Sequence, residues 1–197
     1  MAHGSNRPES LWRQRRLQTP TPELNLCDVA VVALDVETTG RSAELGHRVT
    51  EIAIVGRDIA PLECVIGSSN EDGASSFADI ADEVIARLEK RVVVGHNVTF
   101  DLEFLAHEFE RFQDSTLPAV SYVDTLAFAR GTMMDRGRWT LSAVAGRLGL
   151  APEGELHTAV VDATLALDIF EVLAARIDSP TLADIGLRRL IWKGRSS

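Results

Sequence analysis

The stretch Ala30-Val-Val-Ala-Leu-Asp35-Val-Glu37-Thr-Thr-Gly40 constrains this chain more than any other. From Val29 to Leu34 every residue is apolar and half are valine, a pattern suited to a strand covered on both faces. A charge at the end of such a strand needs a reason. Side chains alternate along a strand, so Asp35 and Glu37 project to one face, close enough to share a cation, while Val36 points into the opposite layer. Thr38-Thr39-Gly40 then stops the strand, and hydroxyls followed by a glycine let backbone N–H groups approach a bound anion or nucleotide closely. The reading is a central strand carrying half of a metal site.

With 197 residues, 45% of them hydrophobic and 25% charged, the chain has the size and composition of one well-buried α/β domain with a little left over at the ends. No apolar run reaches membrane-spanning length and no leader pattern opens the chain, so a cytoplasmic protein without membrane contact is expected. Cys27 and Cys64 have neither Cys-x-x-Cys spacing nor a histidine cluster, which fits reduced thiols rather than zinc or a disulfide.

The charge is unevenly spread. Residues 1–27 and 178–197 together hold eight of the 20 Lys and Arg but only four of the 29 Asp and Glu, so the stretch between them carries a net −13. An acidic centre with basic ends does not grip long nucleic acid by general electrostatics. It suits an enzyme whose acidic site is neutralised by metal ions.

The expected order of elements runs as follows. Residues 1–27, with Pro8, Pro20 and Pro22, form an arm with at most a short helix from Glu9 to Leu17. After the first strand come strands at Val49–Val55 and Leu62–Ile66, an antiparallel meander, and a short polar loop from Gly67. Phe77, Ile80, Ala81, Val84, Ile85 and Leu88 repeat with helical period. Arg91–Gly95 is a short buried strand, and Val98–Phe112 a helix for which Asn97 is a plausible N-cap. A strand at Val120–Val123, a helical turn from Thr125 to Arg130, a helix capped by Thr140 and ended by Gly149, and a long helix from about Thr158 to Ile177 complete the pattern. Strands first, then strand and helix in alternation, argue for a mixed five-stranded sheet flanked by helices.

Two more carboxylates stand out. Asp101 lies near the start of its helix on a face shared with Phe104, Leu105, Glu108 and Phe112; a favourable charge toward the helix dipole is its ordinary explanation. Gly95-His96-Asn97 before it and Phe100, an aromatic able to wedge against a base, favour a site. Asp162 shares its face with Leu165, Ala166, Ile169 and Leu173. A carboxylate on a core-facing stripe is costly unless a cation or donors compensate it, and metal ligation is the economical explanation. His157 stands five residues earlier, a rotation of roughly 140° were both helical, so it belongs in the loop before the helix.

Asp35-Val-Glu-Thr-Thr-Gly, Gly95-His-Asn-Val-Thr-Phe-Asp101 and His157-Thr-Ala-Val-Val-Asp162 together resemble the three motifs of DnaQ-like 3′→5′ exonucleases of the DEDDh type, over roughly residues 28–176. The His-x4-Asp spacing matches the histidine subclass. Thr38, where the oligoribonuclease branch has Met, brings the chain nearest the bacterial DNA polymerase III epsilon, or proofreading, subunit branch. The resemblance implies a ribonuclease H-like fold, two Mg²⁺ or Mn²⁺ ions and hydrolysis of nucleotides from a 3′ end. It also implies Asp35, Glu37, Asp101 and Asp162 as metal ligands, His157 as general base, and Thr38, Asn97 and Phe100 as the lining of the terminal nucleotide pocket. Hard oxygen ligands suit these ions. Asp124 is expected to support the site from behind.

The expected organisation is a basic arm (1–27), an exonuclease domain (28–177) and a basic tail (178–197). Within the tail the apolar Leu182, Ile185, Leu190, Ile191 and Trp192 are read as a docking element for a polymerase or other protein, with a helix folded back on its own domain as the alternative. The 3′ end of DNA is favoured as substrate. An exoribonuclease trimming short or structured RNA, and a non-catalytic binding module on the same fold, are the competing functions.

Overall fold

The computed structural model describes residues 17–67, 75–112, 117–134, 136–152, 154 and 157–192. The helix expected within residues 9–17 lies almost wholly outside them, as does most of the polar loop after Gly67. The apolar run becomes β1 (Val31–Thr38), followed by β2 (Val49–Val55), β3 (Leu62–Val65), α1 (Phe77–Leu88), β4 (Val92–Gly95), α2 (Val98–Arg111), β5 (Val120–Asp124), α3 (Thr125–Thr132), α4 (Leu141–Arg147), α5 (Ala159–Ala174) and β6 (Arg188–Leu190).

The strands form one sheet in the order β3-β2-β1-β4-β5-β6. β1, β4 and β5 run parallel to one another, while β2, β3 and β6 are antiparallel to their neighbours. β1 is therefore central, as its uniform apolar character requires. Alternation along β1 and β2 divides the core. Val32, Leu34, Val36, Ile52 and Ile54 pack with α1 and α2 on one face. Val31, Ala33, Ala53 and Val55 pack with α3, α4 and α5 on the other. The α/β/α arrangement is ribonuclease H-like.

Two side-chain clamps fix helices to β2. Glu108 of α2, 1% exposed, accepts Arg48 in a bidentate pair, Arg111 and the N–H of Val49, so its buried charge is fully compensated. At the other end of β2, Arg57 reaches Glu171 at 3.0 Å and also bonds Asp168, both on α5.

The structure corrects the sequence reading in three places. The sheet has six strands rather than five. The extra one, β6, comes from the segment read as a docking tail: Leu182 and Ile185 are at most 1% exposed, β6 pairs with β5, and the Trp192 indole N–H donates to Glu110 at 2.7 Å. This segment folds back on its own domain, with a strand at Arg188–Leu190 where the alternative expected a helix. The described end of the arm also belongs to the body, since Leu26 is buried and its N–H donates to Pro180 O. Finally, Asn97 stands at the N-cap of α2 as expected, but its side chain makes no capping bond. It sits in the left-handed region at φ 69°, and its N–H is taken by the Asp124 carboxylate at 2.9 Å.

Candidate active site

The site forms where β1 outruns β4. The two strands pair only as far as Ala33, which leaves the last residues of β1 uncovered on that edge. Gly95 makes the junction possible: a Cβ there would lie 2.7 Å from Leu34 O and 2.8 Å from the Val98 side chain. α2 then starts beside the strand end, and Asp101 in its first turn is 4% exposed. Its Oδ1 accepts the N–H of Val36, between Asp35 and Glu37, at 3.0 Å.

From the opposite layer α5 brings Asp162 in its first turn. His157 is exposed, in the loop one residue before the N-cap, with φ 72°. Its backbone N–H bonds the Asp162 carboxylate. One ligand atom each of Glu37, His157 and Asp162 lies within 4.8 Å of the other two. Asp162 Oδ1 is buried without any hydrogen-bond partner among the described residues.

The electrostatics follow from this crowding. Burial pushes the Asp35 carboxyl up to about 9, and Asp101, Asp162, Glu37 and Glu51 add to the shift. Asp101 is pushed up to about 8, chiefly by burial, despite the Val36 N–H that favours its charged form. Glu37 is raised by burial and by Asp162, with His157 opposing; Asp162 is raised by burial, opposed by the His157 N–H and ring. Four acids that resist ionisation together are a site prepared for positive charge. Oxygen donors from three segments, one of them buried and unpartnered, fit a hard divalent cation.

The three residues expected to line a nucleotide pocket surround this cluster differently. Thr38 ends β1 at a register shift, and its hydroxyl donates to Gly40 O at 2.7 Å. Asn97 turns the chain from β4 into α2. Phe100 is half-buried, its ring 4.7 Å from that of Phe104, and leans on the core. Asp124 stands behind them, its Oδ1 accepting the N–H groups of Asn97 and Leu126.

Two residues were given no role of their own from sequence. His96 is partly buried between the Thr125 hydroxyl and Trp139 O, tying the end of β4 to the chain before α4. Glu51 lies directly across from Glu37 in the β1–β2 ladder, and its Oε1 accepts the Ala159 N–H at 3.0 Å. Pairing the two strands in register would have exposed it.

The exonuclease family model matches residues 66–170, just over half of the chain. The DNA polymerase III subunit epsilon of Rickettsia prowazekii is 29% identical over 168 residues, 72% of each chain. Among solved structures, exonuclease X in complex with 5′ overhanging duplex DNA superposes with a TM-score of 0.53 at 20% identity, covering 79% of this chain and 98% of that one. The Schizosaccharomyces pombe protein Pop2p in its Mg²⁺ and Mn²⁺ bound form gives 0.59 at 14% identity, covering 81% and 88%. The chain belongs to the DnaQ-like 3′→5′ exonuclease family.

Proposed function

We propose that this exonuclease removes nucleotides from the 3′ end of single-stranded or mismatched DNA with two divalent cations, Mg²⁺ or Mn²⁺, held by Asp35, Glu37, Asp101 and Asp162. The buried, unpartnered Oδ1 of Asp162 beside Glu37 and His157 carries this reading. An acceptor so placed costs about 1–3 kcal/mol unless something positive meets it, and no Lys or Arg side chain bonds any of the four carboxylates among the described residues. When bound, such ions polarise the attacking water and stabilise the leaving oxygen of an in-line displacement.

The chain's own groups supply the rest. His157, exposed at the rim and facing Glu37 and Asp162, takes the proton of the attacking water, while the Asp162 carboxylate holds its backbone in place. Asp101, fixed by the Val36 N–H, keeps its distance from the β1 carboxylates set. Thr38, Asn97 and Phe100 receive the terminal nucleotide. DNA is favoured because the Rickettsia relative is named as a DNA polymerase subunit. That name also makes a polymerase the proposed partner.

The test is digestion of matched single-stranded DNA, duplex DNA with a 3′-terminal mismatch and short RNA, each with Mg²⁺ and with Mn²⁺. Preference for the single strand or mismatch over RNA supports the proposal. Preference for RNA overturns the substrate assignment.

A further inference from the structure

Glu51 poses a problem that the proposed function leaves unsolved. It faces Glu37 across the β1–β2 ladder, and like charges directly opposite each other in a sheet are destabilising. It adds to the repulsion that already raises Asp35 and Glu37. Its compensation comes from far along the chain. Glu51 Oε1 accepts the N–H of Ala159, 108 residues later and the first residue of α5. The N-cap residue Thr158 makes no side-chain capping bond, so a carboxylate from the neighbouring sheet does the work of a cap, where the helix dipole favours negative charge.

We propose that Glu51 is a positioning residue for the reaction, pinning the start of α5 so that His157 and Asp162 stay over the β1 carboxylates. Ala159 lies two residues after His157 and three before Asp162. The same segment is held from within by the bond from His157 N–H to Asp162, but that bond only closes the turn on itself. Glu51 ties it to the strand that lies against Glu37. His157 has a left-handed backbone, a conformation that a non-glycine residue keeps only when its surroundings impose it. Further along α5, the Arg57 bonds to Asp168 and Glu171 clamp the helix body independently. Loss of Glu51 therefore frees the first turn and leaves the helix docked.

The proposal rests on the exonuclease reading, and reach and charge separate it from metal ligation. Glu51→Gln keeps the reach and the acceptor oxygen without the charge. Glu51→Asp keeps the charge but is too short to reach Ala159. With Mg²⁺ saturating, Glu51→Asp should lower kcat by roughly 10- to 100-fold, the scale of a small misplacement, with KM little changed. Glu51→Gln should stay within about threefold of wild type. In a His157→Ala background Glu51→Asp should cost no more than about threefold, because residues acting through one another are not additive. Amide hydrogen exchange at residues 159–162 should speed up in Glu51→Asp and not in Glu51→Gln, while the melting temperatures stay close. This readout needs no activity, so an inactive wild type would count against the exonuclease reading alone. Unchanged exchange in Glu51→Asp, or a Glu51→Gln variant that loses both turnover and Mn²⁺ affinity, overturns the proposal; the latter would make Glu51 a ligand.

Discussion

Asp101 reaches from the first turn of α2 to accept the backbone N–H of Val36, the residue whose neighbours on either side are Asp35 and Glu37. One hydrogen bond thus couples two of the three carboxylate-bearing segments and satisfies a donor on the edge of β1 that β4 leaves uncovered. Asp101→Asn keeps an acceptor for that N–H and should fold with a near wild-type melting temperature while losing metal affinity and turnover. Asp101→Ala leaves the buried N–H without a partner and should be less stable than the Asn variant by about 1–3 kcal/mol in urea unfolding. Equal stability of the two variants would show that the bond does not hold the segments together.

The acid cluster predicts an unusual dependence of stability on pH. Asp35 and Asp101 ordinarily titrate near 3.8 and are held at about 9 and about 8 in the folded chain. The folded state then binds more protons than the unfolded one between these limits, so the contribution of both groups is fully present below about pH 4 and is lost as the pH climbs toward 9. In chelator, the melting temperature should fall between pH 6 and pH 9. Added Mg²⁺ should raise it, and by more at the higher pH. A chelated protein whose stability is flat or rising over that range would contradict the cluster.

His157→Ala should retain the fold and bind Mn²⁺ in calorimetry, but lose roughly 10²–10⁴ in kcat, the contribution of a positioned base. Asp162→Ala should lose metal affinity as well. Near wild-type turnover in His157→Ala at saturating Mg²⁺ would assign the histidine a structural role.

The C-terminal segment should be indispensable to folding. Burying one Leu or Ile side chain is worth about 1.5–3 kcal/mol, and deletion of residues 181–197 removes Leu182, Ile185, β6 and the Trp192 bond to Glu110. Against a total stability of about 5–15 kcal/mol, the shortened chain should show no cooperative melt, or one far below that of the full chain. An unshifted melting temperature would restore the docking view.

The contrast between these elements shows what was legible in the sequence. β1 announced itself because a strand covered on both faces must be apolar throughout, and Asp162 because a carboxylate among Leu165, Ala166 and Ile169 has no inexpensive explanation. β2 could be bounded residue for residue from its Val and Ile content and the Gly56 turn. β6 could not: three residues, Arg188-Arg189-Leu190, on an exposed edge carry no alternation, and Leu182 and Ile185 look alike whether they cover their own domain or a partner. The true acceptor for the Asn97 N–H, Asp124, is 27 residues away, and that for Ala159 is 108 residues away. Such bonds depend on which strands become neighbours, information that local spacing does not hold.

The central claim is tested most directly by the first products released from 5′-labelled single-stranded DNA at neutral pH, followed at single-nucleotide resolution. With Mg²⁺ the labelled strand should shorten in one-nucleotide steps from its 3′ end; with chelator, or with Asp35→Asn in either metal, it should remain intact. Cleavage that begins at internal positions, early release of the 5′ label as a mononucleotide, or equal digestion in chelator would contradict the account.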